Sequence, residues 1–66
     1  MNNETNESRY NNGYQQAACN RRNNIRFVPV AVRTDRLYAA GWECGISDYN
    51  LGRNTDGNAW ARRNEK

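Results

Sequence analysis

Large apolar side chains are sparse at the start of this chain and gather in two later stretches. The larger is Tyr38 to Trp60, which holds both tryptophans, two of the four tyrosines and four of the five glycines. Placed on a helix at about 100° per residue, Tyr38, Gly41, Trp42, Gly45 and Tyr49 fall on one stripe. Leu37, Cys44 and Leu51 form the neighbouring stripe, and Arg36, Glu43 and Asn50 line the far side. Two glycines inside an aromatic stripe mark a place where another backbone or ring packs close. The plainer alternative is a helix that stops at Gly45. Thr34 or Asp35 is expected to cap this helix, which should run to about Cys44. Continuing it to Leu51 would put Asp48 in the apolar arc, so a stop or bend at Gly45 is expected. Gly52 and Asp56-Gly57 supply turn chemistry. Asn58 then caps a short helix over Ala59 to Arg63, whose Trp60 would fold back onto Trp42.

The second apolar stretch is Ile25 to Val32. Its β-branched density predicts extended structure, with Ile25, Phe27 and Ala31 on one face and Val28, Val30 and Val32 on the other. Pro29 removes a ladder donor, so the run is an edge strand or an extended arm. With no second strand in sight, it lies against helices or pairs with a second copy, which would make a homodimer. Ahead of it, Tyr14 to Arg22 reads as two turns of helix with Tyr14, Ala17 and Ala18 on one face. Met1 to Tyr10 is almost wholly polar, and Asn11-Asn12-Gly13 reads as a breaker. Residues 1–13 are therefore expected to be a disordered tail, and residues 14–66 a single small domain. No internal repeat of constant spacing stands out; Tyr14…Cys19 and Tyr38…Cys44 are alike but differ in spacing. The predicted fold class is mostly α: a small helical hairpin over about 35–64, one extended or edge-strand segment, and a disordered N-terminal tail.

Composition narrows the function classes. A chain of 66 residues is one domain at most and buries only about 60% of the surface its unfolded form exposes. Twelve asparagines favour caps and turns over long elements. Net charge is +3, and its placement is more informative than its total. Arg21, Arg22, Arg26 and Arg33 sit in a stretch without an acid, whereas five basic and five acidic residues cancel from Thr34 onward. That is the footprint for an anionic partner. Phe27 among these arginines adds an aromatic face, the pairing used on RNA, and Arg62 and Arg63 can extend the basic surface. The bland alternative makes Phe27 core and the arginines solubilising. Leu37, Tyr38, Trp42 and Trp60 are the candidate core anchors or partner contacts.

No apolar run is long enough for a signal peptide or a membrane span, so a cytoplasmic protein with no membrane partner is expected. Two cysteines then read as reduced thiols first, with a Cys19–Cys44 disulfide as the alternative. With no histidine and only two cysteines, neither a zinc site nor a Ser-His or Cys-His pair can be assembled in the usual way. No cofactor, no metal and no catalytic residue is expected.

Ala40-Gly41-Trp42-x-x-Gly45, a loop containing Asn50, then Ala59-Trp60-x-Arg62 resembles ribosome modulation factor and the small phage and bacterial proteins like it. The likeness covers about residues 37–63. It implies a glycine-rich first helix and a tryptophan-bearing second helix in a short hairpin, with ribosomal RNA as partner. The family's Cys-Pro-Tyr is replaced by Ser47-Asp48-Tyr49-Asn50-Leu51, and the closing Gly-Trp is missing. The order of a strand at 25–32, a helix from Asp35 and Gly45-Ile46-Ser47 before a second helix is similar to ribbon-helix-helix dimers, which bind duplex DNA. Against that order stand Pro29, Gly52 and Gly57. The leading expectation is a non-catalytic regulatory protein contacting RNA or the ribosome. The alternatives are a small phage-type protein that binds and inhibits a host protein, and a ribbon-helix-helix dimer.

Overall fold

The computed structural model describes residues 5–64, which form four helices and no strand. Helix α1 spans Asn6–Arg22, α2 Ala31–Thr34, α3 Arg36–Asn50 and α4 Ala59–Asn64. The chain is thus mostly α, and α3 and α4, joined by the loop 51–58, supply the expected small helical hairpin. Both of its arms rest on α1.

The expected disordered stretch 1–13 is corrected from Thr5 onward, and its first four residues lie outside the described residues. Thr5 caps α1 by accepting from the Ser8 amide at 3.1 Å, and Glu7 sits in the first turn where the helix dipole favours an acid. Tyr10 is only 2% exposed. Polar composition misleads here because the apolar surface of this segment comes down to Tyr10, which shares a buried face with Tyr14 beyond it. Gly13 is no breaker either. A Cβ on it would run into the Tyr38 carbonyl and come within 3.0 Å of the Trp42 nitrogen, both in α3. The glycine is where two backbones meet.

The contact is reciprocal. A Cβ on Gly41 would strike the carbonyl of Tyr10 and approach the nitrogen of Tyr14 at 3.1 Å, and one on Gly45 would lie 2.5 Å from the Tyr14 carbonyl oxygen. Gly41 therefore meets in α1 the same two positions that Gly13 meets in α3. The sequence carries the reason. Tyr10-Asn-Asn-Gly13-Tyr14-Gln-Gln-Ala17 and Tyr38-Ala-Ala-Gly41-Trp42-Glu-Cys-Gly45 share one spacing of aromatic, glycine, aromatic and small residues, 28 residues apart. A repeat of constant spacing exists after all, and its two copies pack on each other. Backbones this close gain dispersion contact and weak Cα–H···O bonds.

Contacts advance in the same direction along both helices. Arg9 faces Asp35 at 3.7 Å near one end, and Arg21 donates to Asn50 at 3.0 Å near the other. α1 and α3 are therefore parallel. A parallel pair obliges the chain leaving Arg22 to travel back along the pair before α3 begins, about 22 Å at 1.5 Å per residue. Residues 23–35 make this return. Of the two forms expected for 25–32, the edge strand is not found among the described residues, and residues 25–29 run as an arm outside any helix or strand. The last residues of 25–32 turn into α2, whose first bonds are Val32 N–H to Pro29 at 3.1 Å and Arg33 N–H to Val30 at 2.8 Å. The ribbon of a ribbon-helix-helix fold is consequently absent among the described residues.

Asp35 caps α3, accepting from the amides of Leu37 at 3.0 Å and Tyr38 at 3.3 Å. The helix passes Gly45 and ends at Asn50, six residues beyond the expected stop at Cys44. Asp48, read as a stop signal, instead accepts the Tyr14 hydroxyl at 2.5 Å. A polar group in an apolar arc is tolerated when its partner arrives from another helix.

Candidate nucleic-acid interface

The return segment is tied down by one buried residue. Asn20, 3% exposed, donates from Nδ2 to the Phe27 carbonyl at 3.0 Å and accepts from Gln16 at 2.8 Å. Its own carbonyl accepts the Ile25 amide at 2.7 Å. Asn24 makes the reversal in the left-handed region at φ 59°, where asparagine is among the better tolerated residues. The backbone of residues 24–27 is thus anchored while its side chains stay exposed. Phe27 is 68% exposed, so the alternative that it is core is excluded, and Ile25, Val28 and Val30 are exposed beside it.

Between this segment and the helix pair lies a cleft of about 380 Å³. Trp42 and Ile46 line it from α3, Phe27 and Val28 from the return segment, and Arg21 and Arg26 complete it. None of its lining residues is acidic. Arg22 ends α1 and Arg33 lies in α2, both exposed. Of the seven candidate nucleic-acid contacts, the structure brings Arg21, Arg26 and Phe27 into one cleft. The chain matches no family model, no curated protein and no solved structure.

Arg62 and Arg63 line a different cleft, of about 570 Å³, with Tyr10, Tyr14, Cys44 and Asp48. Arg62 donates to the Asp56 carbonyl at 2.7 Å and to the Tyr14 hydroxyl at 3.2 Å. The Arg63 guanidinium lies over the rings of Tyr10 at 5.2 Å and Trp60 at 5.0 Å. Both arginines therefore help hold α4 to the rest of the molecule. Burial pushes the Tyr10 phenol up to about 12, helped by the neighbouring Cys44 thiol. Tyr14 is raised by burial and then by the Asp48 carboxylate, and Tyr38 by burial.

The four candidate anchors separate as well. Trp42 is 7% exposed and stacks on Tyr38 with ring centroids 6.5 Å apart. Leu37, Tyr38 and Trp60 are half-buried. Trp60 does not fold onto Trp42 as expected; it packs edge-on against Tyr10 at 5.5 Å, because α4 docks on α1. Asn11 and Asn58 make that dock. The Trp60 amide donates to Asn11 at 2.9 Å, Asn11 donates to Asn58 at 2.8 Å, and Asn58 donates to Glu7. Asn58 also caps α4, as predicted, accepting from the Ala61 amide at 3.1 Å.

The face of Tyr14, Ala17 and Ala18 is buried as expected, but sequence reasoning missed Tyr10, the bond from Tyr14 to Asp48, Asn20 and Asn11. The signal that would have found Tyr10 is the repeat of aromatic and glycine positions. Cys19 and Cys44 are free and exposed thiols. Among the described residues, no helix is long and apolar enough to cross a membrane, and no three metal-ligating side chains gather.

Proposed function

We propose that this chain is a non-catalytic binding protein whose partner is RNA, held by Arg21, Arg22, Arg26 and Arg33, of which Arg21 and Arg26 share a cleft with Phe27. The observation that carries this reading is the return segment itself. An anchored backbone presents guanidinium groups and an exposed ring with no acid from residue 21 to residue 33. Guanidinium groups bind phosphate bidentately, and an exposed ring stacks on any base. The resemblance to ribosome modulation factor makes ribosomal RNA the first candidate. The residues that carry the resemblance lie on α3, with Gly41, Trp42 and Gly45, and on α4, with Trp60 and Arg62.

The test is the salt dependence of binding to a labelled single-stranded RNA. Log affinity should fall against log salt with a slope of about -0.7 per phosphate contacted. Each Arg→Ala replacement at 21, 22, 26 or 33 that removes a contact should flatten the slope by about that amount. Binding that ignores salt would sink the reading. It would favour a protein partner gripping the exposed Ile25, Phe27, Val28 and Val30, because apolar burial is not screened.

A further inference from the structure

The geometry points to the cleft between the return segment and α3 as a slot for one unstacked nucleobase of a single strand; this deepens the RNA reading and rests on it. The cleft, about 380 Å³, falls within the size range of small-ligand sites. Its lining is of the kind a base requires: Trp42 from α3, and Phe27 with Val28 from the return segment. Arg21 and Arg26 stand where the flanking phosphates would pass. Arg21 spends one guanidinium hydrogen on Asn50 and keeps the others for an anion.

The larger cleft is a poorer candidate for an anionic strand. Asp48 lines it and faces Arg53 at 4.0 Å, while Arg62 and Arg63 are engaged with tyrosine and tryptophan rings. A second copy of this chain is disfavoured in the Trp42 cleft by charge. A two-fold contact would bring Arg21 and Arg26 against themselves. The slot also has a recognisable selectivity. The amide of Asn20, the polar side chain set deepest in its wall, is already committed to Gln16 and to the Phe27 carbonyl. The base is therefore held by stacking, and the four bases should bind within a few-fold of one another.

Trp42 makes the occupant visible. With Trp60→Phe as the background, Trp42 is the sole tryptophan, and its emission can be followed while labelled oligouridine RNA is titrated at low salt. The expected result is a quench that saturates with the same midpoint as the anisotropy of the RNA label. Phe27→Ala, at a side chain too exposed to matter for folding, should weaken binding about tenfold. Duplex RNA should compete poorly, because its bases are stacked. Binding by anisotropy with no change in Trp42 emission would overturn the slot and leave the arginine surface standing. So would a Phe27→Ala protein that binds like its parent, or duplex competing as well as single strands. No binding at low salt would remove both proposals. A mass that doubles with concentration in sedimentation without RNA, and is lost in Phe27→Ala, would assign the cleft to a second copy.

Discussion

The two contacts that α1 makes are built from opposite materials. Against α3 it presents backbone, with Gly13, Gly41 and Gly45 letting carbonyls and amides of the two helices approach without side chains between them. Against α4 it presents side chains: Asn11, Glu7, Tyr10 and Tyr14 meet Asn58, Trp60, Arg62 and Arg63. The first kind of contact has no slack, since a single methyl group collides with a backbone that cannot move alone. The second is a set of separable bonds, each of which can be lost without disturbing its neighbours. The helix pair should therefore fail as a unit, and the dock by degrees.

Gly41→Ala puts this to its hardest test. In an exposed helix that change stabilises by about 1 kcal/mol. Here the added Cβ meets the Tyr10 carbonyl, and overpacking should give a net loss of about 3 kcal/mol, a large share of a small domain's stability. Gly13→Ala should behave alike, because it is the mirrored position. Circular dichroism melting decides the matter. A melting temperature at or above the parent's would mean that the two backbones are not in contact.

Asn58→Ala should cost less, about 1–2 kcal/mol, and spare the helix pair. It removes the cap of α4 and the links to Asn11 and Glu7 together. Trp60 emission should shift to the red, read in a Trp42→Phe background, while the helical signal of α1 and α3 persists. Cooperative loss of all helical signal at a much lower temperature would mean that the dock and the pair are one unit.

The smallest effect is absent at neutral pH. Tyr10 stands where both contacts meet, and its phenol is held up to about 12 by burial from an ordinary value of 10.0. Below pH about 10 it is protonated in both the folded and unfolded chain, so its contribution is complete. Above that the unfolded chain releases the proton while the folded one retains it, and stability is lost as pH rises through about 12. The melting temperature should hold to pH about 9 and then fall, less steeply in Tyr10→Phe. A fall of equal slope in both proteins would show that Tyr10 is not the group responsible.

Much of this was readable from residue types whose effect is local. Asp35 and Asn58 cap helices because their side chains reach amides a few residues away. Gly52 and Gly57 take positive φ, at 76° and 89°, where other residues are strained. The glycines in the aromatic stripe foretold a close backbone, and the arginine stretch foretold a basic surface. What the chain alone did not disclose depends on partners distant in sequence. Whether Gly13 breaks a helix or joins two depends on Tyr38, and whether Asp48 ends α3 depends on a hydroxyl from Tyr14. Tyr10 looked unable to order its polar surroundings because its burial comes from α3 and α4. Local free energies of capping and turning are fixed by neighbours along the chain, whereas burial, and the fate of each polar group it encloses, is decided only when the helices meet.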